Sequence, residues 1–540
     1  MYFVFVTSCG KSTGVGKGMV ATSVGLILQS YGYNITFLKA ESFLNFSPGK
    51  LEPSEQGETF VLSDGSEVGL DLGNYQRFCN LILTKSNYLT AGSILYELIN
   101  SEINGEYNGK TLRYFTEFNN QVAQRLDFLA TNDVCSIENG EKVYKKPDFI
   151  IIELEEPVSN EDSHSFLKAF SSYFSKIENS QKCVISVNFA HEIQKKVEEN
   201  SRLDFLDNLK SYGFEHDICV FRGCLTQNAI CQVSIESGLP QENLIRLKNR
   251  RFIYSIPESL YEEGLYHALK NKLNLPNRNQ IFNIKDKFLK ITKNYGKTKT
   301  IGILTRYDLK DDPYISLEES LVIIGKNLEF DIQIEYINYQ DLANGDIESY
   351  NSLRSVDGIL IPGGFGNNNV GTKIMVAQYA RTNNIPCLGI CLGFQIMVIE
   401  YSRNVLDLKD ATSEEFGEIS NNLVIRRHPQ IVCKNTNNDI FLGEYSVKFS
   451  GVLAEKIYKS EAHSEVFRHR YSLNPAYEDL LEEKGMKFDG KTEDGRGVAF
   501  VLPENSFYAG VQYHPELYSI PGNIDPIIQS YVESVILNTK

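Results

Sequence analysis

Short apolar runs recur along the chain, each followed by a stretch with helical spacing. They are YFVFVT, NITFLK, DFIIIEL, CVISVNF and DICVFRG in the first half, and TIGILT, GILIPGG and PCLGIC in the second. Unbroken runs of this length mark strands buried on both faces, and their alternation with helices predicts parallel α/β sheets. The first run, Tyr2–Thr7, is read as a buried strand. Residues 268–299 are rich in Lys and Asn, carry Pro276 and lack a strong apolar run, so a linker or connecting helix is expected there. This divides the chain into domains at 1–267 and 300–540. Within the second, VCKNTNNDIFLGEYSVKFSG reads as an inserted loop and hairpin.

Composition narrows the class. A chain of 540 residues exceeds a single core. With 42% hydrophobic and 23% charged residues it reads as globular and soluble, and no apolar stretch approaches the roughly 20 residues of a membrane span. The N-terminus has no basic region and no small-residue cleavage pattern, so a cytoplasmic protein without a membrane partner is expected. Ten cysteines without CxxC pairs argue against a zinc site or a disulfide framework and fit a reducing compartment. A net charge of −15 disfavours nucleic-acid partners, while anionic nucleotides remain compatible with a locally basic pocket.

The first chemical signal is SCGKSTGVGKG, running from the first strand into a helical pattern. A glycine-rich turn, here with Gly14 and Gly16, aims backbone N–H groups at one point, and the helix N-terminus adds its positive end, so a phosphate fits there with Lys17 as counter-charge. The spacing departs from GxxxxGK[ST], because Lys11 stands where the motif has Gly and Gly18 stands where a hydroxyl would meet Mg²⁺. Carboxylates elsewhere must then hold the metal, and Asp71 and Glu153 can supply them.

The second signal is GICLGFQ. Cys391 follows the strand IPCLGI and precedes a helical pattern, a strand-to-helix elbow that exposes a thiol and lowers its pKa. Downstream, YHPE places His514 and Glu516 two residues apart on one face of an extended segment, suited to an imidazole that activates Cys391 and a carboxylate that orients it. Backbone donors for an oxyanion are available from LIPGGFG at 360–366 and from Leu392.

PGGFG, LGICLGFQ and YHPE resemble the class I glutamine amidotransferases, and with LKAESFLNFSPGKLEPSEQGETFVLSDGSEVGLDLGNYQRF at 38–78 the whole chain resembles the CTP synthase family. The resemblance implies a P-loop-like parallel-sheet synthetase domain followed by an α/β class I glutamine amidotransferase domain. It implies glutamine hydrolysis through a cysteine thioester, ammonia passing through an internal tunnel, phosphorylation of UTP at O4 by ATP, and displacement by ammonia to give CTP. Carried over by position, Cys391 is the nucleophile, His514 the base and Glu516 its orienter. Gly364 and Leu392 match oxyanion donors, and Phe365, Gln395, Glu415 and Arg470 match the residues that hold glutamine. Lys17 and Lys39 match the ATP-phosphate lysines, and Asp71 and Glu153 match the Mg²⁺ carboxylates. The expected partners are ATP, glutamine, and UTP or another nucleotide or carbonyl acceptor, in a homotetramer or other homo-oligomer.

Several positions depart from the family. Its VEIGGTVGDIES reads IELEEPVSNEDS, keeping Glu153 with Asp162 as a stand-in for the final acid. Its KTKPTQ, whose lysines bind the UTP triphosphate in the family, falls opposite EENSRL at 198–203, putting Glu198 and Asn200 at two cationic positions, with Lys195, Lys196 and Arg202 nearest as replacements. A later lysine falls on Gln232, and GERGVEGK reads GNNNVGTK. Three readings therefore stand: a divergent CTP synthase, a glutamine-dependent ATP ligase that aminates another acceptor, and a non-catalytic homologue.

Overall fold

A computed structural model describes residues 1–10, 14–138, 140–199, 201–250, 252–307, 313–428 and 440–538. The described residues form two compact units. One comprises Met1–Lys50 with Val68–Thr292, the other Leu51–Glu67 with Lys293–Lys540.

The first unit is built on seven parallel strands: β1 (Tyr2–Ser8), β2 (Ile35–Glu41), β3 (Tyr88–Thr90), β4 (Phe149–Leu154), β5 (Lys182–Phe189), β6 (Ile218–Arg222) and β7 (Leu244–Leu247). Their spatial order is β7-β6-β5-β1-β4-β2-β3. β4 is buried along its whole length because helices cover both faces, which is why its sequence shows no polar alternation until Glu153. On one face Phe5, Ile150 and Ile152 pack against Leu126, Phe166 and Phe170. Helix α1 (Lys17–Ser30) follows β1, and α2 (Leu70–Cys79) packs beside it.

In the second unit, strands β8 (Thr298–Thr305), β9 (Asp331–Asn338), β10 (Gly358–Ile361), β11 (Cys387–Ile390), β12 (Phe441–Phe449), β13 (Ala462–His469), β14 (Lys487–Thr492), β15 (Gly497–Val501) and β16 (Tyr508–Val511) form one sheet. Its order is β9-β8-β10-β11-β16-β15-β14-β12-β13, parallel through β16 and antiparallel beyond. One sheet face packs on α3 (Leu392–Asn404) through Phe394 and Val398; the other packs on α4 (Pro526–Leu537) through Ile528 and Val532.

Leu51–Glu67 joins this unit through polar contacts. The Glu58 carboxylate accepts the Ser316 N–H at 3.2 Å at the start of helix Ile315–Asn327, and Arg468 Nε donates to Glu67 Oε1 at 2.8 Å. Glu444 N donates to Ser63 O at 3.3 Å. Within the expected inserted loop, residues 432–439 lie outside the described residues, and the stretch after it forms β12. Among the described residues, no helix is long and apolar enough to cross a membrane.

Candidate functional site

The elbow of the second unit is made by the backbone. Cys391 has φ 52° and ψ −102°, a conformation that L-residues rarely hold, and it stands between β11 and the first residue of α3. The glycines around it let the two elements close up. A Cβ on Gly393 would lie 2.0 Å from the Ile361 carbonyl oxygen of β10, and one on Gly389 would lie 2.3 Å from Met397 Sδ. The elbow does not expose the thiol as expected: Cys391 is 3% exposed, packed with the core of the unit, and its Sγ donates to the Arg468 carbonyl at 3.5 Å.

His514 follows β16, and its N–H donates to the Val466 carbonyl at 2.7 Å, fixing the segment against β13. Its Nδ1 lies 2.8 Å from Glu516 Oε1, and its Nε2 has no hydrogen-bond partner. A Cβ on Gly363 would meet both His514 Cε1, at 2.9 Å, and Cys391 Cβ, at 3.4 Å, so the imidazole and the thiol share one small space. Burial works to lower the His514 pKa, but Glu516 and Cys391 outweigh it and raise it to about 10. Neighbouring charge therefore sets the proton affinity of this imidazole.

The other expected residues of this unit gather around the same space. Gly364 faces the Leu392 side chain, and Gly366 N donates to Glu415 Oε1 at 2.9 Å. The Phe365 ring lies under the guanidinium groups of Arg468 and Arg470, each 5.0 Å from its centre. Gln395, on α3, donates to the Tyr471 carbonyl at 2.8 Å and leaves its own Oε1 unpartnered. Burial raises the Glu415 pKa against the pull of Gly366, Arg470 and Lys373. Burial lowers the Lys373 pKa to about 8, with Arg306 adding to the effect.

The turn after β1 in the first unit carries Gly14 at φ 69° and Gly16 at φ 97°, and α1 begins at Lys17, which is 3% exposed. Lys11 lies outside the described residues. Gly18 has a structural reason for lacking a side chain, since a Cβ there would lie 1.9 Å from Asp71 Oδ1. The Asp71 carboxylate thus takes the place beside the helix start where the familiar motif has a hydroxyl. Lys39, 1% exposed on β2, donates to Asp71 at 2.5 Å, to Glu153 at 3.0 Å and to Glu155. Lys17 Nζ stands 3.9 Å from Glu155.

Glu155 was not singled out by sequence reasoning. It lies just beyond the C-terminal end of β4, where parallel sheets build their sites, and the acidic run ELEE was the available signal. Burial would raise its pKa, yet Lys39 and Lys17 pull it down to about 2. Glu153 instead rises to about 7, through burial and the neighbouring Asp71 and Glu155 charges, while Lys39 opposes. Tyr75 donates its hydroxyl to Glu153. Asp71, Glu153 and Glu155 each offer an oxygen, all within 4.8 Å of one another.

The expected acceptor cations are placed differently. Lys195 and Lys196 project from helix Ala190–Glu198 and pair with Glu199 at 3.9 Å and Asp204 at 2.7 Å, while Arg202 pairs with Asp207 at 2.6 Å. Gln232 donates to Glu236 at 2.8 Å. Asp162 is exposed, and Asn200 lies outside the described residues.

Comparison with known proteins adds the family. Residues 2–275 match the family described as CTP synthase N-terminus, and residues 310–534 match glutamine amidotransferase class-I. The chain is 33% identical to the CTP synthase of Methanocaldococcus jannaschii, over 99% of this chain and 98% of that protein. It is 30% identical to the CTP synthase of Encephalitozoon cuniculi, over 99% of each. Among solved structures, the glutaminase domain of Trypanosoma brucei CTPS with bound acivicin is 33% identical over 45% of this chain and 95% of its own, with a TM-score of 0.41. The chain belongs to the CTP synthase family, and it is a ligase with a class I glutamine amidotransferase half.

Proposed function

We propose that the chain makes CTP from UTP in two half-reactions, hydrolysing glutamine in the second unit and using ATP to activate the pyrimidine in the first. The observation that carries this reading is the strained Cys391 elbow facing the unpartnered Nε2 of an imidazole held by Glu516. His514 takes the thiol proton, and the sulfur attacks the side-chain amide carbon of glutamine. Backbone N–H groups of Gly364 and Leu392 receive the oxyanion. His514 returns the proton to the departing ammonia, and water then cleaves the thioester. Glu415 and Arg470 are of the right charge to grip the amino and carboxylate ends of the amino acid, with Phe365 and Gln395 lining the pocket.

In the first unit, Gly14, Gly16, Lys17 and Lys39 hold the ATP phosphates. Asp71, Glu153 and Glu155 fit Mg²⁺, because their hard carboxylate oxygens converge within 4.8 Å. Bound there, the ion supplies charge shielding for phosphoryl transfer. The carboxylates that now surround Lys39 hold it ready to release toward phosphate when cations arrive. The working form is a homotetramer or other homo-oligomer in the cytoplasm.

A second reading, that the acceptor is not UTP, rests on Lys195, Lys196 and Arg202, each paired with an acid. The test is ATP, Mg²⁺ and ammonium with UTP, UDP, UMP and uridine in parallel, following product mass. CTP formed from UTP at submillimolar concentration supports the first reading. Turnover of a less phosphorylated acceptor in preference to UTP overturns it.

A further inference from the structure

The second unit holds another cluster of ionisable groups beside the elbow. His463 and Glu465 alternate along β13 and so share one face, and Asp525 caps the start of α4. His463 Nδ1 lies 3.0 Å from Glu465 Oε1. Asp525 Oδ1 accepts the Ile527 N–H at 2.9 Å and the Tyr458 hydroxyl at 3.3 Å, and Tyr458 in turn meets the Tyr513 hydroxyl at 2.7 Å. Glu465 is 0% and Asp525 3% exposed, yet Glu465 Oε2 and Asp525 Oδ2 accept no hydrogen bond. One ligand atom from each of the three residues lies within 4.8 Å of the others.

Two buried carboxyls that face each other cannot both be ionised unless a proton or a cation joins them. Burial foremost raises the Glu465 pKa to about 8, with Glu516 and Glu444 adding to it while Asp525 and Tyr458 oppose. Burial and Glu465 likewise raise Asp525 well above the usual range. Independently of those shifts, the cluster buries two carboxylate oxygens that have no hydrogen-bond partner, and a cation held among ligand atoms within 4.8 Å of one another would neutralise it. The half-exposed His463 gives access from solvent and adds an imidazole, which favours a first-row transition ion over Mg²⁺.

We propose that His463, Glu465 and Asp525 form a binding site for a divalent transition-metal cation, with Zn²⁺ as its probe. Such an ion would tie β13 to the cap of α4. The same strand carries Val466 and Arg468, whose carbonyls receive the His514 N–H and the Cys391 Sγ, so the ion would stiffen the frame behind the elbow.

The test uses the full chain with Cys391→Ser, which removes the elbow thiol as a competing zinc ligand, and millimolar Mg²⁺ to fill the carboxylate site of the first unit. Zn²⁺ retained after dialysis is counted by elemental mass spectrometry, and its affinity is measured by competition with a chelating dye. Zn²⁺ binding that weakens at least about tenfold in both His463→Ala and Asp525→Asn, with folding of each checked by circular dichroism, supports the site. Binding unchanged in His463→Ala, or no Zn²⁺ held by the parent, overturns it and leaves a proton-sharing carboxyl pair.

Discussion

The elbow of the second unit and the glycine turn of the first are both strand-to-helix junctions closed by glycine, yet they manage charge in different ways. At the elbow the thiol, imidazole and carboxylate stand in series, and the His514–Glu516 contact of 2.8 Å joins one base to one acid. At the turn, Lys17 and Lys39 face Asp71, Glu153 and Glu155, so acids outnumber bases. A substrate with no net charge, such as glutamine, needs a centre whose charges are already balanced. A nucleotide brings its own anions and their cations, so its site is finished only when they arrive.

That contrast can be broken most forcefully at Lys39. Lys39→Met leaves the buried Glu153 carboxylate and the partly exposed Asp71 and Glu155 without their cation, and losing the partner of a buried charge typically costs about 3–5 kcal/mol. Synthesis should fall with either nitrogen source while glutamine hydrolysis persists; denaturant unfolding and both assays check this, and intact synthesis would remove Lys39 from the site. Gly393→Ala is the counterpart in the second unit, since its Cβ would lie 2.0 Å from a backbone oxygen that cannot swing away. Displacing the elbow by even about 1 Å should lower glutamine-dependent turnover about 10²-fold while sparing ammonia-dependent turnover.

Two smaller effects sharpen the comparison. The His514 pKa of about 10 lies above its ordinary value near 6.5, so the stability it contributes is full below about pH 6.5 and is lost as pH rises through about 10. The stability gap between wild type and His514→Gln, read from denaturant unfolding, should narrow from pH 7 to pH 10; a gap that widens contradicts the assignment. Glu67→Gln keeps a hydrogen-bond acceptor for Arg468 but removes the charge, and should weaken glutamine-dependent turnover by a few fold, about 1 kcal/mol. A matching loss of ammonia-dependent turnover would show that this contact does not act through Arg468 and the Phe365 ring.

The central parallel strands were legible because burial on both faces leaves unbroken apolar runs, as in Phe149–Leu154. The edge strand Asp331–Asn338 and the antiparallel strand Ala462–His469 were not, because polar residues interrupt each run, whereas Phe441–Phe449 falls in the stretch read as a loop and hairpin. The attachment of Leu51–Glu67 to the second unit was also hidden. It rests on Glu58–Ser316 and Glu67–Arg468, contacts separated by 258 and 401 residues, which no local pattern records. Among the proposed site residues, Cys391, His514 and Glu516 announce themselves through short motifs. Glu155 does not, since an acid after a strand reads as a loop charge until Lys17 and Lys39 are seen to converge on it.

The measurement that reaches the central claim most directly is the nitrogen-source dependence of Cys391→Ala, assayed for acceptor amination with glutamine and with ammonium under the same ATP and Mg²⁺. Glutamine-dependent turnover should fall by about 10⁴-fold or more, as when other nucleophiles are removed, while ammonium-dependent turnover stays within about twofold of wild type. Equal loss of both activities would contradict two separate centres joined by ammonia.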